Sequence, residues 1–274
     1  MIEGLEALAN MEYPGRFIII GQDLGKENNI LVYGITGRSP PSQARKLVED
    51  KDAEVGSGVI RTDVTDKKQL EKGNPALLIY PAIALINNAL IVSNGAQTAL
   101  IYRAAKANPL KTNAAKILNE AFEIASPQYD SKNGWIDITK HEPDDPNFTP
   151  RISGCLQPDS AAFYIMRRDQ MGSRHDDCYD IALEGGKGKL IATYSGKNID
   201  PLPSFAGGPL DVGLEGKTID ETAKEVYDAL APLEIRGMED PAKDFRVGVA
   251  VVYSNRKTSE NKISIINRCD LGGK

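Results

Sequence analysis

The chain of 274 residues is 41% hydrophobic and 26% charged, an ordinary balance with apolar material for a sizeable core. Its formal net charge of -5 argues against nucleic acid as a partner, because such binders present a basic face, while leaving room for a small basic pocket. Three widely spaced cysteines without a C-x-x-C read as reduced thiols, and the first residues lack the basic and apolar runs of a secretion signal, so a cytoplasmic chain is expected. The longest apolar stretch, residues 76–89, is interrupted by Tyr80, Pro81, Asn87 and Asn88, too short and too polar to span a bilayer. No membrane partner is expected.

In chain order, β-branched or alternating segments bounded by turn residues predict strands at 16–21, 30–36, 58–63, 76–80 and 90–93. Two Ala-rich helices are predicted over 97–107 and 112–125. Strands at 151–156, 161–167, 179–183 and 190–195 follow. A third helix is marked by Ile219, Ala223, Val226, Tyr227 and Leu230 on one 3.6-residue face, with Asp220 and Glu221 in its first turn. Strands at 246–253 and 262–266 end the pattern, and 128–134 and 198–216 read as loops. Runs of strands with helices gathered in a few places predict an α+β layered fold, and with no convincing linker or repeat the chain reads as one domain over 1–274.

Several chemistries lack their residues. Two histidines, His141 and His175, do not make a multi-histidine metal centre, and His175-Asp176-Asp177-Cys178 reads as a solvated acidic turn. Gly185-Gly186-Lys187-Gly188-Lys189 lacks the phosphate-loop spacing, and Gly56-Ser57-Gly58 lacks the third glycine of a dinucleotide site. Neither a metal nor a cofactor is expected.

Four constellations remain; the first three also fit an ordinary turn or surface loop, and an acidic turn accounts for the charges of the fourth but not for its three prolines. Tyr13-Pro14-Gly15-Arg16 places an arginine at the start of the first strand. Gly34 to Arg45 carries Gly37, Arg38, Ser39 and Arg45, whose guanidinium forks and hydroxyls suit a phosphate ester. Ser93-Asn94-Gly95-Ala96-Gln97-Thr98 offers amides able to read a base or carboxamide edge. Last, His141, Glu142, Asp144 and Asp145 crowd beside Pro143, Pro146 and Pro150, a stiff loop in which a carboxylate with a raised pKa can move protons.

Together, Tyr13-Pro14-Gly15-Arg16, Gly37-Arg38-Ser39, Asn94-Gly95 with Gln97-Thr98, and Glu142-Pro143-Asp144 through Thr149-Pro150-Arg151-Ile152-Ser153-Gly154 resemble the archaeal-type IMP cyclohydrolase family and its bacterial relatives. Leu202-Pro203-Ser204-Phe205 matches a motif of the bacterial branch, so the resemblance runs from about Tyr13 to Pro209. It implies ring closure of 5-formamidoimidazole-4-carboxamide ribotide to IMP with loss of water. It also implies a four-layer αββα sandwich like that of the N-terminal-nucleophile hydrolases. The Ser, Thr or Cys those enzymes expose before the first strand is replaced here by Tyr13-Pro14-Gly15-Arg16.

On this resemblance the expected catalytic residues are Arg38, Tyr80 and Glu142, Tyr80 coming from the match Leu78-Ile79-Tyr80-Pro81. The expected substrate contacts are Arg16, Gly37, Ser39, Arg45, Asn94, Gly95, Thr149 and Arg151. The implied partner is a small purine nucleotide; a homo-oligomer stays open. The alternatives are a purine-nucleotide-binding protein of the same fold without turnover, and a related amide or formamide hydrolase.

Overall fold

The computed structural model describes residues 4–50, 59–68, 75–86, 88–108, 113–216, 218–232 and 244–272. Its strands are β1 (Arg16–Gln22), β2 (Asn28–Thr36), β3 (Arg45–Asp50), β4 (Val59–Val64), β5 (Pro81–Ile86), β6 (Ala89–Ser93), β7 (Pro127–Asp130) and β8 (Gly134–Asp137). They continue with β9 (Arg151–Leu156), β10 (Ala161–Arg168), β11 (Arg174–Ile181), β12 (Lys187–Ala192), β13 (Leu210–Gly213), β14 (Arg246–Asn255) and β15 (Asn261–Asn267). The helices are α1 (Glu6–Ala9), α2 (Pro40–Gln43), α3 (Pro75–Leu78), α4 (Thr98–Ala107), α5 (Ala114–Phe122) and α6 (Ile219–Ala229). None of the described helices is long and apolar enough to cross a membrane.

Two antiparallel sheets carry the fold. One has six strands in the order β13-β12-β1-β2-β14-β15, the other seven in the order β11-β10-β9-β6-β5-β4-β3. The inner strands β1, β2 and β9 are buried along nearly their whole length, which is why they read as continuous apolar runs rather than alternating ones. The two sheets pack face to face: the Ile20 side chain reaches the seven-stranded sheet at Gly154, and Tyr33 on β2 meets Tyr80.

Helices α4 and α5 cover the other face of the seven-stranded sheet, packing Leu100, Ile101, Ile117, Leu118 and Phe122 against Ile91, Cys155 and Tyr164. Helix α6 lies on the outer side of the six-stranded sheet, where the Thr222 and Tyr253 hydroxyls meet at 2.7 Å and Ala223, Val226 and Tyr227 join the main core. The expected α+β class is therefore present, with mostly antiparallel sheets and few helices.

Some sequence expectations change. Residues 76–80 form the end of helix α3 and the approach to β5, not a strand. Pro75 occupies the first helical turn, where its missing N–H is no loss, and an apolar run without periodicity does not distinguish the two conformations. The segment 128–134 is a hairpin, closed by a turn in which Asp130 accepts from the Lys132 and Asn133 amides. The segment 198–216 contains β13, and His175-Asp176-Asp177-Cys178 lies within β11 rather than in a turn. Strands β3 and β5 were not expected. Gly56-Ser57-Gly58 and the start of the expected second helix at Thr112 lie outside the described residues.

Candidate active site

A cavity of about 460 Å³ opens where the N-terminal end of β1, the α2 loop, the loop before β9 and the segment after β12 converge. That volume suits a small organic ligand, for which roughly 300–1,000 Å³ is usual. Of the residues expected from sequence, Arg16, Arg38, Ser39, Arg45, Glu142 and Thr149 line it.

The floor is an ion pair. Arg16 is the first residue of β1, a strand paired on both sides, so its backbone is held firmly. Its Nη2 donates to Glu142 Oε1 at 2.8 Å, while its buried Nε has no hydrogen-bond partner among the described residues. Burial opposes the Arg16 charge, but the Glu142 carboxylate and the phenols of Tyr80, Tyr194 and Tyr33 outweigh it and hold the guanidinium protonated well beyond the usual arginine range. Burial pushes the Glu142 carboxyl above the ordinary glutamate value, against the pull of Arg16 and with help from Asp144.

Glu142 sits on the proline-rich loop, which closes on itself. The Glu142 amide donates to the Thr149 carbonyl at 2.8 Å, and the Thr149 amide donates to Asp144 Oδ1 at 2.7 Å. The Thr149 hydroxyl also reaches Asp144 Oδ2, and it meets the Tyr194 hydroxyl at 2.5 Å. Asn147 ties the loop to the far wall by accepting from the Leu202 amide at 2.9 Å.

The mouth is cationic and hydroxylic. Arg38 is partly exposed and contacts Asp200 at 2.7 Å and Asn198 at 3.4 Å, both in the segment after β12. Ser39 caps α2 and bonds to Ser42 Oγ at 3.0 Å. Arg45 is buried deeper, its Nε and Nη2 donating to the carbonyls of Ser42 and Thr36 at 2.9 Å each, and it lines the cavity.

Five expected residues do not line the cavity. Asn94 lies behind Glu142 and spends its amide on the protein: Nδ2 donates to the Pro150 carbonyl at 2.9 Å, and Oδ1 accepts from the Ile152 amide at 2.9 Å and from Gln97 at 2.8 Å. Arg151 turns away from the cavity and donates to the Lys140 carbonyl at 2.8 Å and to Gln97 Oε1 at 3.1 Å. Gly95 lets them approach, since a Cβ there would sit 2.7 Å from Arg151 Nη1 and 2.8 Å from Gln97 Oε1. Gly37 donates its amide to the Phe245 carbonyl at 2.8 Å at the base of the α2 loop. Tyr80 is buried beneath the floor, its hydroxyl 2.8 Å from that of Tyr33.

The cavity also takes Tyr13, Thr36, Ser42, Asp144, Asn147, Tyr194 and Leu202, which the sequence reading did not assign to the site. Tyr13, Asp144 and Leu202 stood in motifs already noted. Tyr194 stood in none.

A model for a family described as IMP cyclohydrolase-like protein matches residues 13–236. The chain belongs to the IMP cyclohydrolase-like family. The matched span holds every residue that lines the cavity and runs past the motifs at 202–205 to include helix α6. Strands β14 and β15, which complete the six-stranded sheet, follow it. No curated protein matched the chain.

Proposed function

We propose that the cavity closes the second ring of a purine nucleotide, converting 5-formamidoimidazole-4-carboxamide ribotide to IMP and water. Family membership supports the reaction class, and the observation that carries the reading is the buried Arg16–Glu142 pair on the floor of a cavity with arginines at its mouth. The ring-closing bond joins the carboxamide nitrogen to the formyl carbon. The formyl oxygen departs as water with one proton from the carboxamide nitrogen and one from the formamido nitrogen. Both reacting groups belong to one molecule, so positioning removes much of the entropic barrier.

In this reading Arg38, Ser39 and Arg45 take the phosphate at the mouth, where Arg38 exchanges Asp200 for the ligand. Arg16 holds and polarises the carboxamide carbonyl through its Nε, which has no partner among the described residues, and Glu142, whose proton affinity burial raises, carries protons between nitrogen and departing oxygen. Thr149 acts from the wall through Tyr194 and Asp144, which its hydroxyl joins. Tyr80 acts on Arg16 from beneath; Asn94, Gly95 and Arg151 hold the Glu142 loop in place. The helix, sheet, sheet, helix order supports a single-domain relative of the N-terminal-nucleophile hydrolases that has lost their nucleophile.

Purified protein mixed with the formamido ribotide should generate the IMP ultraviolet spectrum. Glu142→Gln and Arg38→Ala should each lower turnover by about a hundredfold or more with folding intact. IMP binding without turnover in the wild type would make the protein a nucleotide-binding module instead, and near-normal rates in both variants would remove the proposed roles.

A further inference from the structure

Tyr194 follows β12 and belongs to the cavity wall. Its ring is clamped. Tyr13 stacks on it with centroids 5.8 Å apart and planes 22° from parallel, and Gly15 presses against its edge. At Gly15 the backbone has φ +74, and a Cβ would lie 2.6 Å from the Tyr194 ring, so only glycine lets the ring sit there. The phenol oxygen is therefore held in one place.

The proton on that oxygen has a definite direction. A threonine hydroxyl has one proton to give, and a carboxylate can only accept. The Thr149 hydroxyl bonds both to Asp144 Oδ2 and to the Tyr194 hydroxyl, and Asp144 Oδ1 is engaged by the Thr149 amide. Thr149 must give its proton to Asp144 and accept the one from Tyr194. The phenol's donor is thus used up inside the wall, and what it has left for the cavity is a lone pair. Arg16 Nε, buried in the same site without a partner among the described residues, is a donor in search of an acceptor.

We infer that Tyr194 is a specificity-determining residue: its oxygen accepts an N–H of the ligand's carboxamide, while the Arg16 Nε donates to the carbonyl of that group. This rests on the cyclohydrolase reading and extends it, because the pair selects a neutral amide over a carboxylate. An acceptor facing a carboxylate oxygen repels it, whereas facing an amide nitrogen it bonds. The Thr149 and Asp144 side chains set this polarity without touching the carboxamide.

The probes are 5-aminoimidazole-4-carboxamide ribotide and its 4-carboxylate counterpart, titrated calorimetrically into wild type, Tyr194→Phe and Thr149→Val. Tyr194→Phe should weaken the carboxamide ribotide roughly tenfold while leaving the carboxylate unchanged or tighter. Thr149→Val frees the phenol proton, so its preference should move toward the carboxylate. A merely structural tyrosine would weaken both ribotides alike. That result, or unchanged preference in both variants, overturns the inference while leaving the cyclohydrolase reading intact. Failure of the wild type to bind either ribotide overturns both.

Discussion

Glu142 shares the cavity floor with Arg16, 126 positions away in sequence, and not with the arginine nearest to it along its own loop. The proline-rich segment announced a held carboxylate, and the motif around Arg16 announced an arginine at a strand end. Nothing in the spacing paired the two. Arg151, expected to face the ligand, is drawn off by the Lys140 carbonyl and Gln97, which satisfy its buried donors. Asn94 is likewise consumed by the protein. Tyr194 escaped notice because Ala192-Thr193-Tyr194-Ser195 is an unremarked strand end, and its value lies in a ring clamp and a proton direction that exist only after folding.

The raised Glu142 carboxyl carries a prediction at this scale. Between the ordinary glutamate value of 4.5 and the higher folded value, the folded chain keeps a proton that the unfolded chain has released, so this contribution is complete at low pH and is lost as pH rises through that window. Urea denaturation at several pH values should show wild type losing stability relative to Glu142→Gln across the window and the difference levelling above it. A difference independent of pH would mean that the folded carboxyl titrates normally.

At the scale of elements, the interior strands apart from β5 were legible, and of the four edge strands only β15 was read nearly whole. β1, β2 and β9 are β-branched runs buried on both sides, a pattern that sequence displays directly. β3 and β11 lie at the two ends of their sheet and are rich in charged residues, so β3 and the first half of β11 resemble loops, while 179–181 fell within an expected strand. The Leu47 amide and carbonyl on β3 are taken by the Asn267 side chain. Helix α3 hid in an apolar stretch with no period.

Helix α6 was readable throughout because it has both a periodic face and a start signal. The Thr218 side chain accepts from the Glu221 amide at 3.2 Å, and the Glu221 side chain accepts from the Thr218 amide at 2.9 Å. Thr218→Ala removes one half of this capping box and should lower stability by about 1 kcal/mol in denaturant unfolding, with ribotide affinity unchanged. A change in affinity would tie the helix to the cavity, which its position does not.

At the scale of the molecule, the sheets and their helical covers sort the three thiols. Cys155 on β9 is sealed under α4 and α5, and burial pushes its thiol up to about 12. Cys178 and Cys269 are exposed. Native protein treated with a maleimide and analysed by mass spectrometry should gain label at Cys178 and Cys269, and at Cys155 only after unfolding. Prompt labelling of Cys155 would show that the helical layer opens readily.

By itself the sequence determined the α+β class, the interior strands apart from β5, helix α6, the family and six of the residues that line the cavity, because periodicity, proline and glycine punctuation and short motifs are local properties. Tertiary structure decided which charges meet. The pairing of β6 with β9 brings Asn94 beside Ile152 and behind Glu142, and β1 between β2 and β12 fixes Arg16 and leads on to Tyr194. Ion pairs, clamped rings and the direction of a proton are properties of distances between remote segments. Those distances are set by sheet order and layer packing, which no local pattern encodes.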